Sequence, residues 1–214
     1  SSTLTHKQTD PLTYDIKSHL RTRYHRLWRY KVRLLWVMGE EAHIAAIAPG
    51  LKEKQWLEGD RTVLIYGGSP RNTLDKERLS ELRTLRRSRP LDGIVLALTH
   101  DQATPSTLDT ALRTLEQVGE SLHYQPVVYL WQVCDTPWSQ DEREAQPVGA
   151  LFPARATPEI VSEQLTAMLP LLREQGMQQV CDRPPHDFLL RLGQCLKEKQ
   201  IAHWKTLLTP WLRT

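Results

Sequence analysis

The chain has 214 residues, 40% of them hydrophobic and 25% charged, with a net charge of +3; this suits a globular protein of one medium domain with extensions, or two small ones. No apolar run reaches the about 18 residues of a membrane span and no secretory leader pattern is visible, so the chain is expected neither to cross a membrane nor to be exported. A charge this mild calls for no nucleic-acid partner, and the three widely spaced cysteines, Cys134, Cys181 and Cys195, lack metal-ligand spacing and point to a reducing compartment.

Residues 1–13 are polar, end near Pro11, and read as a flexible lead-in. Over residues 14–30 the spacing of Ile16, Leu20, Tyr24, Leu27 and Trp28 predicts one amphipathic helix. Its other face is basic, with Arg21, Arg23, Arg26 and Arg29. Two readings stay open there: a solvated face, or a surface that meets anionic lipid or an acidic partner. Val32–Met38 is a buried strand, followed by a turn at Gly39 and a short helix from Glu41 that Pro49-Gly50 ends. Residues 51–60 read as a connecting loop holding Trp56, and 61–66 as a second buried strand closed by Gly67-Gly68-Ser69-Pro70.

A helix is predicted from Asn72 to about Arg87, with Leu74, Leu79, Leu82 and Leu85 inward and a basic end that suits the helix dipole. Leu91–Leu98 is the clearest strand; its continuous apolar run signals burial on both faces, as in a parallel sheet. A helix over about 104–118 and a strand over 126–133 come next. An acidic loop then runs to Pro147. A helix capped at Thr157 continues to about Gln175, Met177–Cys181 is a candidate last strand, and 183–214 form a helical extension. Trp28, Trp36 and Trp131 are expected in the core, whereas Trp56 and Trp138 are loop residues able to anchor a partner. Alternating strands and helices predict an α/β fold with a mainly parallel sheet flanked by helices over 31–182.

Ligands of such sheets sit past the carboxyl ends of the strands. The first of those ends has the spacing of a phosphate-binding loop. Counted from Gly39, the second Gly belongs at 44, the Lys at 45 and the Ser or Thr at 46. The chain has Ile44, Ala45 and Ala46. Ile44 brings a side chain where backbone N–H groups close on phosphate, Ala45 supplies no cation, and Ala46 supplies no hydroxyl for Mg²⁺. Glu40 and Glu41 add negative charge where a polyphosphate sits. On this stretch alone, an ordinary strand–turn–helix is the better reading, because one Gly at the right place is weak evidence.

Three stretches carry a family resemblance. Arg86-Arg87-Ser88-Arg89-Pro90-Leu91-Asp92-Gly93-Ile94-Val95-Leu96-Ala97-Leu98 is one, Pro126-Val127-Val128-Tyr129-Leu130-Trp131-Gln132-Val133-Cys134-Asp135 another, and the strand Leu34–Gly39 the third. Together they resemble the cytoplasmic GTPase-like domain of the large inner-membrane protein of type VI secretion systems, the IcmF/TssM type. The resemblance spans roughly residues 28–210 in the same order. It implies a P-loop NTPase fold of the small-GTPase kind with helical extensions at both ends.

The departures fall on the nucleotide site. Where intact members carry Gly-Lys-Ser/Thr, an Asp-Thr-Ala-Gly turn and a Lys, this chain has Ile44-Ala45-Ala46, Tyr66-Gly67-Gly68-Ser69 and Val133; only Asp135 keeps the place of the guanine-reading carboxylate. The resemblance therefore implies a vestigial site at Gly39, Ile44, Ala45, Ala46, Tyr66, Val133 and Asp135, with no catalysis, no cofactor and no metal. It also implies an adaptor at the cytoplasmic side of the bacterial inner membrane, tethered through flanking segments. The implied partners are the secretion baseplate and other membrane-complex subunits, not nucleic acid. Trp138 and Glu142 in the acidic loop, and Arg21, Arg23, Arg26 and Arg29, are the candidate partner-binding residues. The rival reading is an atypical NTPase that energises or gates secretion and draws its cation from Arg61 or Arg71.

Overall fold

The computed structural model describes residues 11–99, 102, 104–133, 150, 152, 156–182, 190, 194, 197 and 201–208. The chain forms two compact units, Ser1–Thr136 and Pro137–Thr214. The first holds a five-stranded sheet built from β1 (Arg33–Gly39), β2 (Trp56–Gly59), β3 (Thr62–Gly68), β4 (Gly93–Thr99) and β5 (Val127–Val133). Their order across the sheet is β2-β3-β1-β4-β5. Strands β3, β1, β4 and β5 are parallel, and β2 runs antiparallel to β3.

Alternation along β1 divides the core. Val37 joins Val95 of β4 on one face, where Ile44, Ala48 and Leu51 pack against them. Those three come from α3 (Glu41–Ile47) and α4 (Leu51–Lys54), with Ala48 between the two helices. Leu34, Trp36 and Met38 point the other way and are also buried. Three longer helices complete the unit: α1 (Pro11–Tyr24), α5 (Lys76–Leu85) and α6 (Pro105–Leu122). Helix α1 touches α5, and α5 touches α6. Their buried leucines, Leu20, Leu79, Leu82, Leu108 and Leu115 among them, recur at helical spacing.

The N-terminal helix is not continuous over 14–30. Helix α1 begins at Pro11, inside the expected lead-in, and stops at Tyr24. A 3₁₀ turn over His25–Leu27 and the short α2 (Trp28–Lys31) follow. His25 takes φ of 59°, a left-handed conformation that ends an α-helix. The break rotates Trp28 into the core and leaves Leu27 56% exposed, off the apolar stripe expected of it. Helix α1 is then fixed to β2 through Glu58. That carboxylate accepts from the Tyr24 hydroxyl at 2.7 Å and from Arg23 Nη1 at 2.8 Å, and His19 Nε2 lies 2.8 Å away. Burial pushes the Glu58 carboxyl up, but the Tyr24 and His19 hydrogen bonds and the Arg23 charge outweigh it and hold it below the ordinary carboxylate value.

Residues 51–60 are not a loop. They form α4 and β2, and Trp56 is a half-buried strand residue with His19 edge-on at 5.2 Å. Left-handed residues at Gly50 and Gln55 bracket α4. Strand β3 runs on through Gly67 and Gly68, and the Trp36 indole lies where a Cβ of residue 67 would stand, which requires glycine there. Helix α5 is shorter than the 72–87 expected. It starts after Asp75, whose side chain accepts from Arg78 N at 3.0 Å, and ends at Leu85.

Trp131 is 44% exposed rather than core, in register with exposed Val127 and Tyr129 on one face of β5. In the second unit, α7 (Pro158–Asp182) takes in Met177–Cys181, so the expected last strand is helix. Its start is the expected one, with Thr157 Oγ1 accepting from Ile160 N at 3.3 Å. Helix α8 (Ile201–Leu208) packs on α7. Among the described residues no helix is long and apolar enough to cross a membrane.

Candidate functional site

Strand β1 is flanked by β3 on one side and β4 on the other. The chain leaves β1 for the β3 side and returns to the β4 side. That reversal opens a crevice at the carboxyl ends of β1 and β4, where open α/β sheets place ligands. A cavity of about 420 Å³ lies there, walled by Gly39, Glu40, Arg71, Ala97 and Gln102, with α6 beyond. Its floor is tight: a Cβ on Gly39 would meet the Ala97 carbonyl oxygen at 2.9 Å. Gln102 Oε1 closes the end of β4 by accepting from Thr99 N at 3.0 Å.

The residues that a phosphate loop would leave open are helical here. Helix α3 starts at Glu41, two residues past Gly39. The amides of His43 and Ile44 donate to the Glu40 carbonyl at 3.0 and 2.9 Å. Those N–H groups are spent inside the protein instead of facing a ligand. Ile44 is buried in the core beneath β1, and Ala45 points to solvent. Tyr66 packs against the same core cluster. The sequence positions of a phosphate loop are thus present without its backbone shape.

The mouth of the crevice carries an internal ion pair. Arg71 grips the Glu40 carboxylate with two donors, Nε to Oε1 at 3.0 Å and Nη2 to Oε2 at 2.9 Å. Ser69 Oγ donates to Oε1 at 3.1 Å and accepts from the Arg71 amide at 3.2 Å. The Arg71 hydrogen bond is the main cause holding the Glu40 carboxyl below its ordinary value, burial opposes it, and Ser69 adds to the lowering. A carboxylate held by a guanidinium fork and a hydroxyl fills the electrostatic role a phosphate would take.

No protein-family model, curated protein or solved structure gives a significant match to the chain.

Of the expected site residues, Gly39 walls the crevice, whereas Ile44 lies in the core cluster with Tyr66 packed against it, and Ala45 is exposed. Val133 ends β5 in register with Thr99, one strand away. Asp135, Trp138 and Glu142 lie outside the described residues. Neither spare cation of the rival reading is free for a ligand there. Arg71 is committed to Glu40, and Arg61 precedes β3, so it lies at the opposite end of the sheet, about 20 Å from Gly67 at about 3.3 Å per strand residue. Among the basic-helix residues, Arg21 and Arg26 are exposed, Arg23 is paired with Glu58, and Arg29 lies over the Trp28 ring at 5.7 Å. Among the described residues there is no cluster of three potential metal-ligating side chains.

Two features were not foreseen. The Glu40–Arg71 pair spans 31 positions, and no spacing rule links such residues. Arg86 was read as part of a helix end favoured by the dipole. It is instead buried, and it donates to the carbonyls of Arg29, Val32 and Arg89 and to Asp92 Oδ2 at 2.6 Å. Asp92 Oδ2 in turn accepts from Leu34 N at 2.8 Å. The apolar strand after Pro90 gave no hint that an ion pair pins its first residues to β1.

Proposed function

We propose that this chain is a non-catalytic adaptor domain with a degenerate small-GTPase-like frame, belonging to the membrane complex of a type VI secretion system. In this reading it docks the baseplate, and other membrane-complex subunits, at the cytoplasmic face of the inner membrane. The observation that carries the non-catalytic part is the Glu40–Arg71–Ser69 clasp at the head of β1, beside a helix that starts at Glu41. A nucleotide seated at the phosphate-loop spacing would have to unwind α3, pull Ile44 from the core and displace a bidentate ion pair. The parallel sheet with one antiparallel strand, and β1 between β3 and β4, is compatible with the GTPase-like frame. The secretion assignment rests on the resemblance of residues 86–98 and 126–135 to the IcmF/TssM type.

The test is binding of the purified domain to purified baseplate subunits by interferometry, with and without Mg²⁺ and nucleotide. Saturable binding indifferent to nucleotide is expected. No binding to any baseplate subunit overturns the adaptor assignment. Binding that requires GTP or ATP favours the rival in which an atypical NTPase gates secretion.

A further inference from the structure

The amino-terminal edge of the sheet, opposite the crevice, carries a basic basin. Its cavity measures about 1380 Å³ and is bounded by the end of α2, the starts of β1 and β3, and the turn between α5 and β4. Six cations line it: Arg29, Lys31, Arg33, Arg61, Arg87 and Arg89, all exposed. The acids present are Asp60 and Asp92. Asp92 pairs with Arg86 through Oδ2 at 2.6 Å and with Arg89 through Oδ1 at 3.8 Å. Among the described residues no carboxylate pairs with Arg33, Arg61 or Arg87. Cations gathered in a concavity without matching acids repel one another, and an anion relieves that repulsion.

The basin is built. Arg86 lies at its base, using its donors on three main-chain carbonyls and Asp92, and so ties α2, β1 and the β4 approach together. The lining cations therefore stand on a fixed frame. Arg61 adds a second, independent observation. The β2–β3 hairpin turns through Asp60 and Arg61, with φ of 48° and 59°. Turns with two left-handed residues prefer Asn-Gly or Asp-Gly, because glycine adopts that conformation without a steric penalty. An arginine occupies the glycine place, and its carbonyl accepts from Arg33 N at 2.8 Å, which fixes it there. A cation held in a left-handed turn position beside a basic cavity points to a binding role.

We infer that this basin binds an anion carrying two or more clustered phosphate groups. Five of the six lining cations are arginines, whose planar forks match phosphate oxygens in pairs. The cavity exceeds the space a single small anion needs and has room for several phosphates. Such chemistry comes either free, as a polyphosphate, or on a membrane, as a diphosphate lipid headgroup. Tyr30, 88% exposed at the rim, has the amphipathic character of a side chain that settles at a headgroup layer.

The whole chain is tested in two arms. Calorimetry with inorganic tripolyphosphate measures the free anion. Co-sedimentation with phosphatidylcholine vesicles, with and without cardiolipin, measures the headgroup. Saturable binding in the first arm alone assigns a free polyphosphate, and cardiolipin-dependent binding in the second assigns the headgroup. In the responding arm Arg61→Gly is expected to weaken binding at least about fivefold, the effect of one cation near an anionic surface. Its melting temperature should hold or rise, because glycine relieves the left-handed turn. Arg87→Gln should weaken binding likewise, and Arg113→Gln, on α6, should not. Absence of binding in both arms overturns the inference. So does wild-type affinity in folded Arg61→Gly and Arg87→Gln, or binding of a single-stranded RNA oligomer by a chain that ignores both phosphate probes.

Discussion

Replacing Ile44 by alanine separates a helix-and-core role for this position from a loop role. Ile44 is 1% exposed and packs with Val37, Ala48, Leu51 and Val95. The change deletes three buried carbons, about 0.8 kcal/mol each by transfer, and leaves a cavity that two short helices can only partly close. Alanine returns about 0.5 kcal/mol through its higher helix propensity. The net loss is about 3 kcal/mol, inside the range measured for large-to-alanine changes in cores. With a urea m-value of ~2 kcal/mol/M, the unfolding midpoint should fall by about 1.5 M with unchanged slope. Ala45→Ser, one residue on but exposed, should stay within about 0.5 kcal/mol of wild type. A loss below about 1 kcal/mol for Ile44→Ala would mean that residue 44 is a loop position, and the account of a helix replacing the phosphate loop would fall.

Restoring Gly, Lys and Ser at 44–46 should yield no hydrolysis above background in a phosphate-release assay, because position 45 faces solvent and the Gly empties the core; measurable turnover would show an intact site. A double-mutant cycle with Glu40→Gln and Arg71→Gln should give about 0.5–1 kcal/mol of coupling at pH 7, as expected of a bidentate but half-exposed pair. The Glu40 carboxyl is depressed below 4.5, so its contribution is complete above that value and is lost as pH falls through its lower folded pKa; coupling that grows on acidification would refute the pairing. Glu58→Gln should cost about 1–2 kcal/mol by chemical denaturation at pH 7, since Tyr24, Arg23 and His19 all converge on that carboxylate. Its cost should shrink below pH 4.5 by the same sign, because the Glu58 carboxyl is also held low; a cost independent of pH would place the effect in shape rather than charge.

The parts of the fold written in long apolar runs were legible. Strand β4 is buried along six consecutive residues and could be read almost to its ends; the start of α6 could be read as well, though the helix runs to Leu122 and not to about 118. Short elements were not, since four residues of α4 and four of β2 show no period. The helix expected to end at about Gln175 runs on through Gly176 to Asp182. At Gly176 a Cβ would meet Leu190 Cδ2 at 2.7 Å, so the glycine serves close packing rather than a helix end. Trp131 misled because the apolar run of β5 resembles that of β4, yet among the described residues β5 is the last strand of the sheet, and Val127, Tyr129 and Trp131 are exposed on it. At the site, the missing loop chemistry could be read directly from Ile44, Ala45 and Ala46. The clasp could not, because tertiary folding alone brings Arg71 to Glu40.

The central claim is that the crevice at the head of β1 is closed to nucleotide by the protein's own side chains. Isothermal titration of the wild-type chain with GTP and with ATP, each with Mg²⁺ and up to millimolar concentration, tests it most directly. The account predicts no saturable heat for either nucleotide. A micromolar dissociation constant for either one would contradict it.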